Sequence, residues 1–264
     1  MQLKKSEKMK KTLQILNGLA FGSTIFINYL SNTGIMDGKT IGGISDNIKS
    51  LFTPAGYAFS IWGLIYLFLL GFAVYQGRSL FKKGADDSFI EKIGFWFIIS
   101  CIANCSWVFS WIYGYTGLSC FFIFLLLISL LKIVLNLGVN IDKVSSSKQL
   151  FLYLPFTIYS GWVTLASVAN VSSYLVKINW NGFGISDEIW TIIMILIAVI
   201  INAIIIFKRN MNGFALVGSW ALIAIGIANQ TKQNTLGFTA FIAAGFLLIL
   251  VAIKLLKNRQ TNLN

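Results

Sequence analysis

The chain alternates between long apolar runs and short polar breaks that carry lysine. Eight runs stand out, at roughly 12–30, 54–76, 93–113, 116–137, 150–176, 189–207, 212–229 and 235–256. A membrane-crossing helix needs about 20 largely apolar residues, and these runs are near or above that length. Strands of a membrane barrel are about 10 residues long and alternate in polarity. These runs are too long and too continuously apolar for that. The pattern predicts an all-α protein, a polytopic transmembrane helix bundle. The seventh run is the weakest, because it is rich in glycine and alanine.

The cations give the runs a direction. Cytoplasmic loops carry an excess of Lys and Arg. With a cytoplasmic N-terminus and eight spans, 17 of the 21 Lys and Arg residues fall inside. They cluster at Lys4 to Lys11, Arg78 to Lys92, Lys132 to Lys148, Lys208 and Arg209, and Lys254 to Arg259. Only Lys39, Lys49, Lys177 and Lys232 fall outside. Removing one span puts the later clusters on the wrong side. Both termini are therefore expected in the cytoplasm, at a bacterial inner or plasma membrane. The basic stretch KKSEKMKK followed by an apolar run resembles a signal peptide, but no clear small-residue cleavage site follows. It reads as a retained first span.

Composition agrees and excludes several chemistries. The 264 residues are 56% hydrophobic and 11% charged, with mean hydropathy +0.76; soluble domains carry about 25% charged residues. The net charge of +12 lies at the ends of the runs rather than along one basic face, so nucleic acid is not an expected partner and membrane lipid is. Histidine is absent, which removes the commonest metal ligand and the usual neutral-pH acid–base group. Cys101, Cys105 and Cys120 read as small packing residues, since three thiolates without histidine make a poor zinc site. Every acidic residue lies in a loop or at a helix end. Ion-coupled carriers keep ionisable groups deep in their spans. Lys132 and Lys254 sit near helix ends, so a retinal Schiff base is not indicated. No catalytic residue, metal or cofactor is expected, and the chain reads as a non-enzyme.

The polar residues that do enter the bilayer are asparagines beside tryptophans. In the third span Trp96, Ser100, Asn104, Trp107 and Trp111 recur at three- and four-residue spacings, which is one helix face. Tyr159, Trp162, Ala166, Ala169, Asn170 and Ser173 do the same in the fifth, and Phe59, Trp62 and Tyr66 share a face of the second. An amide in hydrocarbon wants a hydrogen-bond partner, so Asn104 and Asn170 should point inward. Helix packing alone is the plainer reading of each residue. Close-packed membrane interfaces, however, favour Gly, Ala and Ser, as in the G-x-x-x-G of Gly18 and Gly22, and inward tryptophans better suit the wall of a binding cavity. Trp180 and Trp190 lie outside these stripes and read as belt anchors.

These stretches resemble the TspO/MBR family, the tryptophan-rich sensory or translocator proteins. After its first loop that family has a lysine, Pro-Pro, then aromatic residues; here stand Lys49, Pro54-Ala55-Gly56-Tyr57, Phe59, Trp62 and Tyr66. Its third helix carries Asn-x-x-Trp and aromatics, here Asn104, Trp107, Phe109 and Trp111. Its fifth reads Tyr-x-x-Trp-Val-x-x-Ala-x-x-x-Asn, matched by Tyr159, Trp162, Val163, Ala166 and Asn170. The departures are Ala55 for the second proline, Ser50 after the lysine, and Pro155 four residues before Tyr159.

The resemblance implies a five-helix core over 12–178 with its first loop at 31–53. A basic tail (1–11), about three further C-terminal spans (179–256) and a second tail (257–264) flank that core. It implies a protein, often a homodimer, that binds a porphyrin or sterol-like molecule between its helices. Tyr57, Phe59, Trp62, Tyr66, Asn104, Trp107, Trp111, Tyr159, Trp162, Ala166 and Asn170 would be the ligand-binding residues. The loop holds Gly34, Gly38, Gly42 and Gly43 and reads as a candidate lid. Sterol-contact patterns at Leu70, Tyr75 and Arg78 and at Val168, Tyr174 and Lys177 are weak. The expected function is binding of a flat hydrophobic molecule for sensing or transport. A carrier of small hydrophobic solutes is the alternative, although no internal repeat is visible. A membrane enzyme acting on an isoprenoid or porphyrin is the other, and it lacks an acid, base or redox centre in the spans.

Overall fold

The computed structural model describes residues 2–48, 50–82, 84–141 and 144–261, with side chains over 6–48, 50–82, 84–141 and 144–258. Lys49, Lys83, Asp142 and Lys143, which entered the motif or the charge pattern, lie outside these residues, as do the side chains of Lys4, Lys5 and Arg259. The chain is 82% helix, with no strand among the described residues. Its helices are α1 (Gln2–Leu30), α2 (Ile41–Asn47), α3 (Ile61–Gly77), α4 (Ser88–Ile93), α5 (Trp96–Ile112), α6 (Thr116–Leu137), α7 (Ser146–Lys148), α8 (Leu154–Lys177), α9 (Asp187–Arg209), α10 (Asn212–Asn229) and α11 (Asn234–Thr261).

Seven helical stretches among the described residues are long and apolar enough to cross a membrane: Ser6–Leu30, Gly56–Leu80, Thr116–Leu137, Ser146–Lys177, Asp187–Arg209, Asn212–Asn229 and Asn234–Asn258. The chain is thus an integral, polytopic helical membrane protein. The remaining expected span forms α5, an apolar helix of 17 residues. Its start is set by Gly94, whose φ of +55° breaks the chain between α4 and α5.

The residues pack into two compact units that interleave along the sequence. The first holds the chain up to Ile41 and Trp62–Phe156. Here α5 packs along α6 and α1. Rings of Phe72, Phe97 and Phe156 form its centre, Phe72 lying 5.1 Å from Phe97 and 5.0 Å from Phe156. Helix α1 turns Gln14, Asn17, Thr24 and Asn28 inward beside Leu13 and Phe21, and Ser31 just after it is buried too. In hydrocarbon such groups need partners inside the protein. Gln14 donates to the Gln76 carbonyl and, at 2.7 Å, to Ser79 Oγ. Asn17 Nδ2 donates to Gln76 Oε1 at 2.9 Å.

A polar clasp closes one end of this unit. Lys10 pairs with Asp87 at 3.0 Å and Lys148 with Asp86 at 3.6 Å. Asp86 also accepts the backbone N–H and the hydroxyl of Ser88 at 3.0 and 2.7 Å. Arg78 stacks 3.7 Å above the Tyr75 ring. Beyond Lys148 the chain makes a wider π-helical turn, Gln149–Tyr153. Pro155 accounts for it: proline has no N–H for the carbonyl four residues back, here that of Phe151, and its ring crowds that carbonyl.

The second unit holds Gly42–Ile61 and the chain from Thr157 on. In it α9, α10 and α11 pack against one another, and glycines set how closely. A Cβ on Gly218 would stand 2.5 Å from Asn202 Oδ1, one on Gly226 2.6 Å from the Phe241 ring, and one on Gly237 3.0 Å from Gln230 Cα. On α8, a Cβ on Gly161 would stand 2.9 Å from the Phe214 carbonyl oxygen of α10. Gly218 and Gly226 of the seventh apolar run thus let α9 and α11 come close to α10. Helix ends follow ordinary capping: Ser186 Oγ accepts from Ile189 N, Asp187 and Glu188 fill the first turn of α9, and Lys208 and Arg209 its last.

Candidate ligand-binding site

In the first unit, α3 and α5 bring four of the expected residues into one aromatic ladder. Tyr66 stacks on Trp62 at 5.6 Å between ring centroids, Trp62 lies 5.8 Å from Trp107, and Trp107 stacks 6.1 Å from Trp111. The four-residue spacing along one helix is what stacks Tyr66 on Trp62 and Trp111 on Trp107, while Trp62 and Trp107 meet at a tilt of 32°. Trp111 Nε1 donates to the Ile41 carbonyl at 3.2 Å, which fixes that end of the ladder. One turn before Trp107, the buried Asn104 accepts a hydrogen bond from Asn28 Nδ2 at 2.7 Å, and Asn28 also donates to the Thr24 carbonyl at 2.9 Å. Ser100 is buried on the same face, whereas Trp96 is only half-buried.

In the second unit, Trp162 is fully buried and meets Phe59 edge-on at 6.0 Å. Tyr159 and Asn170 are buried on α8, and Ala166 is half-buried. Phe59 stands in the 3-10 turn Gly56–Ser60 that precedes α3. It belongs to the second unit, whereas Trp62 and Tyr66 belong to the first. Tyr57 is 41% exposed and packs at right angles on Trp220, 5.2 Å away.

Residues absent from the sequence-based set hold the 50–58 segment in place. Ala55 N donates to the Ala224 carbonyl at 3.1 Å. Trp220 Nε1 donates to the Ala58 carbonyl at 3.3 Å, and Asn229 Nδ2 to the Leu51 carbonyl at 2.9 Å. Ser50 and Ser172 share a hydrogen bond of 2.7 Å. The end of the expected lid is therefore pinned onto α10 and α8, and its middle is the short helix α2. Pinning also explains Ala55: a second proline there would remove the N–H that α10 uses. Asn28 was equally missed. Its signal was present in the spacing of Gln14, Asn17, Thr24, Asn28 and Ser31, an inward stripe with a period near 3.5.

Aromatic rings and a hydrogen-bonded amide pair are thus held between the helices of a polytopic helical membrane protein. The sequence model of the TSPO-like protein family matches residues 14–253, and the chain belongs to that family. The match extends through α9, α10 and α11, beyond the 12–178 that the motifs cover. No curated protein and no solved structure matches the chain.

Proposed function

We propose that this protein binds a flat hydrophobic molecule, tetrapyrrole-like or sterol- or isoprenoid-like, on its aromatic surfaces, and that binding serves sensing or transport rather than catalysis. The observation that carries this reading is the ladder Tyr66–Trp62–Trp107–Trp111 with Asn104 one turn away. Rings of this kind offer broad, polarisable faces to a planar ligand, and an amide can meet a polar edge of it. Trp62, Trp107 and Trp111 are covered by neighbouring rings and side chains, so a ligand has to exchange a ring–ring contact for a ring–ligand contact. A planar molecule makes that exchange at least loss. Phe59 and Trp162, with Tyr159, Ala166 and Asn170, form a second aromatic surface in the other unit.

The topology proposed is eight crossings with both ends cytoplasmic. Helix α5 is about 25 Å long at 1.5 Å per residue, close to the hydrocarbon thickness, and it packs along the membrane-spanning α6. The cation distribution supports its crossing, because leaving it out would put Lys132, Lys148, Lys208 and Arg209 outside. Reporter fusions at residues 140 and 210 are expected to read cytoplasmic; an outward reading at either one contradicts the count.

Binding is tested by titrating the purified protein with protoporphyrin and following tryptophan fluorescence. Saturable quenching is expected, weakened about 10-fold or more in Trp62→Ala if the lost ring contact contributes about 1.4 kcal/mol. Quenching that is identical in wild type, Trp62→Ala and Asn104→Ala would remove the ladder from the site.

A further inference from the structure

The turn between α8 and α9, residues 178–186, carries an aromatic cluster that neither the ladder nor the pinned segment uses. Its backbone is locked. Asn181 Oδ1 accepts from Phe183 N at 3.1 Å, and Trp190 Nε1 donates to the Gly182 carbonyl at 2.8 Å. Gly182 has φ +63°, and a Cβ on it would stand 3.2 Å from the Trp190 ring. Trp180 lies 5.3 Å from both Phe183 and Trp190. At the tip, Phe183 adopts φ +54° and ψ +30°, a left-handed conformation that bulky residues rarely take. The usual reward for such strain is a buried side chain, yet Phe183 is 80% exposed.

The lipid-facing surface of the protein runs into this turn. Ile178, Ile185 and Ile189 are exposed, and the row continues along α9 through Leu196 and Ile200. Lys177, Asp187 and Glu188 flank the turn, where charges meet lipid headgroups. Strain held in place by surrounding bonds points to a use for the strained residue.

We propose that residues 178–186 form a rigid membrane-interface wedge. The Phe183 ring inserts at the headgroup–acyl boundary of the leaflet reached by the ends of α8 and α9, with Trp180 and Trp190 behind it at headgroup level. Because the turn is already ordered, insertion loses little conformational freedom. The wedge rests on α8 and α9 crossing the membrane and is independent of the ligand reading.

The test places an environment-sensitive fluorophore at Phe183→Cys, in a chain with Cys101, Cys105 and Cys120 changed to Ala, reconstituted in phosphatidylcholine/phosphatidylglycerol vesicles. A label at Lys232→Cys, in the exposed turn before α11, is the reference. The wedge predicts blue-shifted emission at 183 and stronger quenching by lipids brominated near the headgroup than at 232. Water-like emission at 183, with quenching no stronger than at 232, overturns it. Should the cysteine variant not fold, Phe183→Trp in the native chain replaces it. The added tryptophan must raise the fraction of fluorescence quenched by the same lipids, and an unchanged fraction overturns the wedge. Protection of 183 from quencher only after adding a cell extract would assign the turn to a protein partner and equally overturn it.

Discussion

The buried amide pair Asn28–Asn104 is first of all a packing contact between two helices. Asn28 donates to Asn104 Oδ1 in a place where water is absent. Truncating either residue removes that bond, a loss of about 1–2 kcal/mol for interhelical polar bonds in membranes. Asn28→Ala and Asn104→Ala should each lower the thermal midpoint in detergent, and the double variant should lose less than the sum; strict additivity would mean that the bond contributes nothing. Ala55 gives a cleaner case. Its φ of −55° and ψ of +145° already suit proline, so Ala55→Pro tests the N–H alone. Losing this bond to the Ala224 carbonyl should cost about 0.5–1.5 kcal/mol, read as a lower unfolding midpoint, whereas an unchanged midpoint would show that α10 does not hold this segment. Much of this was legible beforehand: Trp96, Asn104, Trp107 and Trp111 of α5 recur with helical period, and the structure buries the last three, while Phe109 is exposed. The inward stripe of the first helix was legible in its spacing, but the pairing of Asn28 with Asn104 was not, because the two lie 76 residues apart.

Among the helices, α10 is where hydropathy misleads most. Low apolar content made it the weakest candidate span, yet it is among the most enclosed helices of the chain. Glycine and alanine lower hydropathy and at the same time permit close approach, so hydropathy cannot separate a poor span from a central one. The close contact of Gly161 with the Phe214 backbone makes a sharp comparison. Gly161→Ala forces backbone to move and should destabilise by about 1–3 kcal/mol or more. Gly18→Ala on α1, where a Cβ meets nothing within 4 Å, should leave the monomer's midpoint unchanged. Equal effects would contradict the packing described here. Chain order gave no hint that the 50–58 segment rests on α10, since Asn229 and Leu51 are 178 residues apart. Helix α10 thereby acquires a role, as the support of the aromatic segment that carries Phe59.

At the level of the whole molecule, the all-helical membrane architecture and the family follow from run length and from three spaced motifs. How the chain divides in space does not, because all three unit boundaries fall within helices, at residues 41–42, 61–62 and 156–157. The polar clasp at Asp86 should leave a trace in the pH dependence of stability. Hydrogen bonds from Ser88, and then the charge of Lys148, hold the Asp86 carboxyl below its ordinary range. A depressed folded-state value means stability present above about pH 4 and lost as the pH falls below it. The side chain is half exposed, so the contribution is under about 1 kcal/mol. Asp86→Asn should flatten the fall in thermal midpoint between neutral and acid pH; an unaltered slope would separate the clasp from acid sensitivity. The central claim is that the ladder binds a flat apolar ligand, and its most direct measurement is equilibrium binding of protoporphyrin to the reconstituted protein, followed by the absorbance of the bound ring. Saturation at a fixed stoichiometry with a shifted absorbance band is expected, with loss of both in Trp62→Ala/Trp107→Ala while the variant remains helical. Saturable binding with the same band in wild type and double variant would contradict it.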